Sequence, residues 1–300
     1  MAELSANYAA QYGSNVYTLA QQEGSILRPF VTIEEMHGEK RSFERVKPTT
    51  AVKVTTKYMD TPLVHTEFDR RTIHGEEWVW GDLYDWTDDL NVFIDPTSAI
   101  VRSGAMALGR TIDDIVIKKG FDGVAYEGKE GTEQVAFPES QKIGIAYGSN
   151  SNSGLTIEKL RRAYSMFGKA DIDLSAPGNE LYIAVTQQQM DDLLEGVDIK
   201  NNLYNAMLDL YCGKTNKFLG FNFVRTERLQ KTESGSGYSR TCAAWCKSGV
   251  ILCIPQDIKM VVNTRPDKNN IWQAAGRMKA GATRIEDAKV VQIFCQESAA

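Results

Sequence analysis

A long extended segment that runs into a long capped helix is the feature that most constrains the fold of this 300-residue chain. From Val46 to Trp80 the sequence is charged, and residues 52–58 alternate between apolar and polar positions with the two-residue period of a strand. Asp60-Thr61-Pro62 predicts a turn, after which a second arm returns to Ile73. An isolated two-stranded ribbon is marginally stable in water. We therefore expect the ribbon to pack on another body, for which a neighbouring subunit is the natural candidate.

The helix predicted after this ribbon is marked at both ends. Asp95 is a good N-cap residue, Pro96 suits the first helical position, and Gly120 is a fitting stop. An apolar stripe at spacings of three and four residues marks one face and consists of Val101, Ala105, Leu108, Ile112 and Ile115. A helix of about 24 residues, at 1.5 Å rise per residue, would be a rod of roughly 36 Å. This is long for a helix in a globular protein.

Other segments predict shorter elements. Residues 1–45 are too apolar for plain disorder and too interrupted for one element, so we interpret them as an N-terminal arm. Residues 121–153 predict short strands and loops. Thr156 then caps a second helix, whose predicted apolar stripe is Ile157, Leu160, Tyr164 and Phe167.

A compact α/β unit is predicted from residue 178 to about residue 254. Leu181–Val185 is an apolar strand, and Thr186 with Gln189 forms a capping box at the start of the next helix. The inner face of that helix is predicted at Met190, Leu193, Leu194 and Val197. The other predicted elements are a helix over 203–211, a polar loop over 231–239, and strands over 218–224, 243–254, 258–263, 272–281 and 288–294.

Composition and charge argue against several classes of protein. Apolar content of 42% with 24% charged residues is typical of a globular protein. The net charge of −5 argues against a protein that neutralises a phosphate backbone. No run of 18 apolar residues is present, so no membrane-spanning helix is predicted. Five cysteines, an odd count, without a visible secretory signal indicate a reduced, intracellular protein.

No group of residues predicts catalysis or metal binding. Gly213-Lys214-Thr215 resembles the end of a phosphate-binding loop, but Leu208 stands where that loop needs glycine. Cys242 and Cys246 are one residue too far apart for the common zinc knuckle, and no second pair follows them. We therefore predict no enzyme activity, no cofactor and no metal.

Charges of opposite sign instead suggest contacts between subunits. The ribbon carries the cations Lys53, Lys57, Arg70 and Arg71. The acidic run that follows carries Glu76, Glu77, Asp82 and Asp85, with Asp88 and Asp89 beyond it. Complementary patches on one chain suit head-to-tail contacts, in which they set register and orientation. A solvated acidic face is the alternative interpretation of the run.

Six stretches of the chain occur in the order found in one known family. They are D-T-P-L-V-H-T-E-F-D-R-R (60–71), D-P-T-S-A-I-V-R-S-G-A-M-A-L-G-R-T-I-D-D (95–114), G-L-T-I-E-K-L (154–160), L-Y-I-A-V-T (181–186), F-L-G-F-N-F-V-R-T-E-R-L (218–229) and the segment 244–291. Through them the chain resembles the major capsid proteins of tailed double-stranded DNA bacteriophages. The resemblance covers nearly the whole chain, so it is far more specific than a short motif.

The resemblance implies an α+β fold of the Hong Kong 97 type. Such a fold would divide the chain into an N-terminal arm (1–45), an extended β-hairpin loop (46–90), a peripheral domain with the long spine helix (91–177), an inserted axial α/β domain (178–254) and a return to the peripheral domain (255–300). The polar loop at 231–239 would lie near the capsomer axis, and the ribbon would lie over a neighbouring subunit.

The same resemblance implies a structural function. The chain is expected to form hexamers and pentamers that close an icosahedral virion shell around double-stranded DNA, without sequence-specific DNA binding and with assembly in the host cytoplasm. Portal and decoration proteins are expected partners, and a separate scaffolding protein is expected because the chain has no long charged N-terminal extension. Two alternatives stay open: an encapsulin-like nanocompartment shell with enzyme cargo, and an enzyme that uses the inserted α/β unit.

Some members of the resembled family cross-link a lysine of the extended loop to an asparagine of a neighbour. Lys53 or Lys57 would be the donor here, and Asn263, Asn269 or Asn270 the acceptor. No sequence pattern singles any of them out, so we predict no cross-link.

Overall fold

The computed structural model describes residues 21–61, 63–84, 96–148, 152–196, 202–234 and 237–297. These residues form two compact units. The first contains Glu77–Thr111 and Gln256–Met278 with residues 21–25, and the second contains Ile26–Glu76, Ile112–Pro255 and the residues from Lys279 onward.

The described residues form four α-helices and fifteen strands. The helices are α1 (Pro96–Ile115), α2 (Ile157–Lys169), α3 (Gln187–Glu195) and α4 (Asn202–Tyr211). The strands are β1 (Thr32–Glu34), β2 (Lys40–Val46), β3 (Phe68–His74), β4 (Glu76–Tyr84), β5 (Ala125–Glu127), β6 (Glu133–Val135), β7 (Lys142–Ile143), β8 (Leu181–Val185), β9 (Lys217–Phe218), β10 (Phe221–Arg225), β11 (Lys231–Ser234), β12 (Gly237–Cys246), β13 (Val250–Arg265), β14 (Ile271–Arg284) and β15 (Val290–Glu297).

Three sheets organise these strands. One has the order β1-β13-β14-β4, and a second has the order β7-β15-β12-β8-β10-β9 with β11 paired to β12. The third has the order β2-β3-β5-β6 and is antiparallel throughout. This mixture of helices with largely antiparallel sheets confirms the predicted α+β class.

The spine helix is present where the sequence predicts it. The helix α1 begins at Pro96, and its N-cap candidate Asp95 lies outside the described residues. In the predicted stripe Leu108, Ile112 and Ile115 are buried, whereas Val101 and Ala105 are half-buried. Gly120 was expected to stop the helix, but it lies inside a π-helical continuation, Val116–Phe121. Its role is a close approach, since a Cβ there would lie 2.9 Å from Val250 Cγ1.

Two glycines bring α1 close to the strands of the first unit. A Cβ on Gly104 would lie 2.5 Å from the Trp80 ring, and one on Gly276 would lie 2.8 Å from Leu108 Cδ1. Real side chains do not tolerate such distances, so both positions require glycine for this packing.

An aromatic cluster forms the centre of the second unit. Phe121 and Tyr182 lie on either side of Trp245, with ring centroids at 4.5 and 5.9 Å. The Trp245 Nε1 donates to Phe30 O at 3.0 Å, which satisfies the one polar atom of this buried indole. The cluster joins the π-helical turn after α1 to the seven-stranded sheet.

The predicted α/β unit is largely confirmed in its elements. The strand β8 has the predicted bounds, and the capping box is present with Thr186 N donating to Gln189 Oε1 at 3.0 Å. Met190 and Leu193 are buried as expected, Leu194 is half-buried, and Val197 lies outside the described residues. The sheet also contains β15, which pairs with β12 from Tyr238↔Glu297 to Trp245↔Val290. The domain boundaries stay a prediction.

Several predicted elements are wrong in detail. The stretch 243–254 is two strands, since β12 ends at Cys246 and a 3₁₀ turn, Lys247–Gly249, precedes β13. The stretch 218–224 is interrupted at Leu219-Gly220. Within the predicted polar loop, residues 231–234 and 237–239 are paired strand residues of β11 and β12. On α2 the buried face contains Lys159, Leu160, Ala163, Met166 and Phe167, while Tyr164 is 43% exposed.

Candidate assembly surface

The extended loop, residues 47–67, rises from the β2–β3 hairpin. The two strands pair in antiparallel register from Lys40↔His74 to Val46↔Phe68, and Lys47 N donates to Glu67 O at 3.0 Å. The predicted strand over residues 52–58 is wrong, because none of the described residues from 47 to 67 is in a strand and residues 56–58 form a bend and turn. A turn occurs earlier than predicted, with Met59 N donating to Thr56 O at 3.3 Å. The alternation gives the segment an apolar face, but no strand among the described residues pairs with it.

Apolar side chains on this loop are exposed to solvent. Tyr58 is 90% exposed and Leu63 is 86% exposed. The other large apolar side chains exposed on the loop or at its foot are Val46, Val52, Val54, Val64 and Phe68. A cluster of exposed apolar side chains on one segment marks an interaction site, since a monomer gains nothing from such exposure. This loop is the strongest candidate for a contact with another molecule.

A network of charged side chains lies at the foot of the loop, where it joins β2 and β3. Arg45 lies on β2, next to the loop, and its Nη2 bonds Asp69 on β3 and Glu127 Oε1 on β5, the latter at 2.7 Å. Its Nη1 donates to Ile285 O at 2.7 Å. The guanidinium therefore links β2, β3 and β5 to the residue that follows β14.

Arg71 belongs to this internal network, which corrects its prediction as a contact residue. Its side chain is 1% exposed, and its Nε lies 2.7 Å from Glu127 Oε1. Its Nη2 donates to Asp287 Oδ2 at 2.8 Å. Arg70 and Arg71 are consecutive in β3, so their side chains lie on opposite faces of the sheet, and only that of Arg71 is buried.

The third arginine of the network is fully buried. Arg284 Nε donates to Asp287 Oδ1 at 2.5 Å and Nη2 donates to Val135 O at 3.1 Å. Burial lowers the pKa of Arg284, against the raising effect of Asp287. Burial acts to raise the pKa of Asp287, but the hydrogen bond from Arg284 and the charge of Arg71 outweigh it and hold that pKa below its usual value. The lowered pKa of Asp287 favours its ionised form beside the two arginines.

Arg70 is on the outer face and is already paired. Its Nη2 donates to Glu44 Oε1 at 2.8 Å, across the β2–β3 pair. A surface pocket of about 520 Å³ opens beside it and is lined by Glu44, Phe68, Asp69, Arg70, Gly128 and Lys129. Arg70 thus stays a candidate contact residue, but its charge is partly neutralised within the chain.

Lys47 on the loop is exposed but paired with Glu67 at 2.6 Å. The other exposed lysines of the loop are Lys53 and Lys57. The Lys57 ammonium lies 6.0 Å from the centre of the Tyr58 ring, and within the described residues neither lysine has an ion pair. The positive patch predicted from four residues is therefore reduced to these two and the paired Arg70.

The acidic candidates divide between exposed and paired residues. Glu76 Oε1 lies 2.9 Å from Lys119 Nζ, so its charge is matched within the chain. Glu77 and Asp82 are exposed on β4, and Asp85 lies outside the described residues, as do Asp88 and Asp89. Glu77 and Asp82 stay candidate contacts.

The three asparagines considered for cross-linking lie on the β13–β14 hairpin. Asn269 and Asn270 occupy its turn with φ of 54° and 56°, a conformation that asparagine tolerates. Asn263 is exposed on β13 and lines a pocket with Lys259, Val261 and Arg277.

Sequence reasoning missed the buried network because its members have no local signature. Arg45 and Ile285 are separated by 240 residues, so no window of sequence contains both. The one available signal was the concentration of charge on β2 and β3, which was interpreted as a surface pattern.

The described part of the chain offers no other site of this strength. No group of three or more histidine, cysteine or acidic side chains is placed to hold a metal there. Cys242, Cys246, Cys253 and Cys295 are buried free thiols, and Cys212 is exposed. Within the same residues, no helix combines the length and the apolar character needed to span a membrane.

Comparison with known proteins agrees with this arrangement. A family model described as phage capsid protein matches residues 4–297. A search of curated protein sequences gives no match.

Solved structures of several phage capsids are similar to this chain. The capsid of cyanophage P-SCSP1u is 14% identical, with 98% of this chain and 94% of that chain covered and a TM-score of 0.70. The capsid of Ralstonia phage GP4 is 9% identical, with 100% and 98% covered and a TM-score of 0.71. The capsid of cyanophage Pam1 is 12% identical, with both chains covered completely and a TM-score of 0.69. At these identities the likeness establishes the fold, and the predicted Hong Kong 97-type capsid fold is confirmed.

Proposed function

The chain belongs to the phage capsid protein family, and we propose that it builds an icosahedral phage head from hexamers and pentamers of itself. Membership of the family makes it a major capsid protein whose copies associate into a shell and whose location is the virion. The ring sizes, the enclosed double-stranded DNA and the route of assembly are the proposal.

The observation that carries the proposal is an exposed apolar loop on a rigid base. Tyr58 is 90% exposed and Leu63 is 86% exposed, while Arg71 at the foot is 1% exposed and bound to two carboxylates. A loop that is irregular along its length and braced at its foot can meet a neighbour at slightly different angles. One sequence would thereby serve both five-fold and six-fold rings.

Stability of the shell would come from many modest contacts. Each subunit engages several neighbours at once, so each contact is strengthened by the others without any new interaction. Lys53, Lys57, Arg70, Glu77 and Asp82 are proposed to set the register of these contacts, since charges at a rim steer orientation more than they add affinity.

The remaining partners follow from the proposed assembly. A separate scaffolding protein, a portal and decoration proteins are proposed to act with the shell, which would assemble in the host cytoplasm. The net charge of −5 suits a wall that encloses DNA without binding a particular sequence. We propose no enzymatic step, no cofactor and no covalent cross-link.

The alternative functions are not favoured. The family match spans residues 4–297 and describes a phage capsid protein, which argues against a nanocompartment shell with enzyme cargo. An enzyme that uses the α/β unit would need a convergent set of reactive groups, and the sequence predicts none.

Electron microscopy with light-scattering mass tests the proposal. The protein would be expressed with and without its neighbouring genes and examined in negative stain. We expect closed shells or rings of uniform size in at least one condition. A monodisperse species with the mass of a single chain in both conditions would contradict it. Boiled particles analysed on a denaturing gel are expected to run as one band, and a ladder of bands would overturn the absence of cross-links.

A further inference from the structure

A strained leucine on the second unit marks an apolar pocket that the established fold does not explain. Leu219 has a φ of 47° and is followed by Gly220 at 84°, in the two-residue turn between β9 and β10. Both positions of such a turn need positive φ, which suits asparagine and glycine. A bulky residue there is an outlier, and strain of this kind accumulates at functional positions.

Leu219 lines a surface pocket. The pocket measures about 360 Å³ and is lined by Arg161, Tyr164, Ser165, Leu219 and Gly220. Gly220 lies beneath the Tyr164 ring, since a Cβ there would be 2.7 Å from Tyr164 Cε2. The Phe221 ring packs edge-on with the Tyr164 ring, with centroids 6.1 Å apart. The pocket therefore has a fixed apolar wall while Tyr164 stays 43% exposed.

The rim of this pocket is positively charged. Arg161 is exposed on α2, and among the described residues its guanidinium has no hydrogen bond or ion pair. Lys217, two residues before Leu219, is exposed as well. An occupant that matches this site has an apolar or aromatic side chain with a carboxylate close by.

The tip of the extended loop has this chemistry. Tyr58, 90% exposed, lies two residues before Asp60, which is exposed and has no partner among the described residues. We propose that the loop tip of a second copy docks on this pocket, with Tyr58 against Leu219 and Tyr164 and with Asp60 paired to Arg161. This inference rests on the proposed self-assembly and names the contact within it.

Charge exchange between the two partners tests the pairing. Asp60→Arg and Arg161→Asp are each expected to reduce the yield of assembled shells about tenfold, as loss of one desolvated charge partner does at an interface. The double variant restores an opposite pair and is expected to recover assembly. Arg162→Asp is the matched control, since Arg162 makes the same charge change one position away and does not line this pocket. Its yield is expected to stay at the level of the parent.

Leu219→Asn separates docking from folding. Asparagine tolerates the left-handed conformation, so the melting temperature of unassembled protein is expected to stay unchanged or rise while shell yield falls. Tyr58→Ala is expected to lower yield in the same way without a change in melting temperature.

The outcomes are distinguishable. Absence of shells from the parent protein contradicts the proposed function itself. Parent shells together with normal yields from Asp60→Arg, Arg161→Asp or Leu219→Asn overturn the docking site. The pairing is also overturned if Arg162→Asp is as damaging as Arg161→Asp, or if the double variant fails to recover.

Discussion

Arg240 binds Glu297 through two parallel hydrogen bonds, from Nε to Oε1 and from Nη2 to Oε2, each of 2.9 Å. Glu297 Oε1 also accepts from Gln189 Nε2 at 2.8 Å and from the Thr186 hydroxyl at 3.1 Å. One carboxylate near the end of β15 therefore joins β12 to the start of α3. Burial acts to raise the pKa of Glu297, but the hydrogen bonds from Arg240 and Gln189 outweigh it and lower that pKa.

Removal of this carboxylate is expected to destabilise the second unit. Glu297→Ala leaves the Arg240 guanidinium buried without its partner, which costs roughly 3–5 kcal/mol of unfolding free energy. Glu233→Ala, at an exposed glutamate of β11, is expected to change it by less than about 0.5 kcal/mol. Urea denaturation of unassembled protein measures both. Equal stabilities of the two variants would show that the Arg240–Glu297 pair contributes nothing.

The pKa of Asp122 is raised, whereas that of Glu297 is lowered, so their contributions to the free energy of unfolding change with pH in opposite directions. Burial raises the pKa of Asp122 to about 7, while Arg284 and Lys142 act to lower it. Because the folded pKa lies above that of the unfolded chain, this contribution to stability is full below about pH 4 and is lost as pH rises through 7. Asp122→Asn keeps an acceptor for Gln292 Nε2, which donates to Asp122 Oδ1 at 3.1 Å.

The test compares the parent with Asp122→Asn at pH 5 and pH 8. The parent is expected to lose more unfolding free energy over this interval than the variant, with a difference of up to about 3 kcal/mol. Asp171→Asn, at an exposed position with φ of 52° that suits asparagine, should follow the parent. Parallel curves for the parent and Asp122→Asn would refute the assignment of this pH dependence to Asp122.

Lys159 is buried among backbone carbonyls. Its Nζ lies 2.8–3.0 Å from four carbonyl oxygens, those of Ile145, Ser153, Gly154 and Phe294, which share its three N–H donors. Lys159→Met preserves the length of the side chain but leaves these acceptors without a donor, so we expect a loss of roughly 3–5 kcal/mol. Lys169→Met, at an exposed lysine of the same helix, is the control and should be near neutral. A Lys159→Met protein as stable as the control would mean that water replaces the ammonium.

Arg70 and Arg71 are neighbours with opposite environments, which makes them a matched pair. Arg71→Leu leaves Glu127 and Asp287 without one of their cations in a buried site and is expected to cost roughly 2–4 kcal/mol. Arg70→Leu removes a surface pair with Glu44 and is expected to cost less than about 1 kcal/mol. Urea denaturation of the unassembled protein again provides the comparison. If Arg70→Leu lowers the free energy of unfolding more than Arg71→Leu does, the buried network around Arg71 does not stabilise the base of the loop.

Locally encoded features of this fold follow from the sequence. The strand Leu181–Val185 and the capping box of Thr186 and Gln189 were predicted at their observed positions, because both depend on residues within one turn or strand. The spine helix was predicted for the same reason, although its π-helical end at Phe121 depends on packing against Val250.

Long-range features were beyond the sequence pattern. The alternation over residues 52–58 indicated a strand, but a strand needs a neighbour to pair with. Among the described residues the strand pairing of this hairpin ends at Val46 and Phe68. Tyr164 was assigned to a buried stripe and instead lies half-exposed beside Leu219. The strain at Leu219 also has no sequence signal, since it depends on a backbone conformation.

Hydrogen–deuterium exchange of residues 47–67 in dissociated and assembled protein tests the central claim most directly, namely that this loop is the assembly element. The loop has few internal backbone hydrogen bonds, so its amides are expected to exchange rapidly in the dissociated protein. The account predicts strong protection of this segment on assembly, with little change in the already buried strand Leu181–Val185. Equally rapid exchange of the loop in closed shells would contradict it.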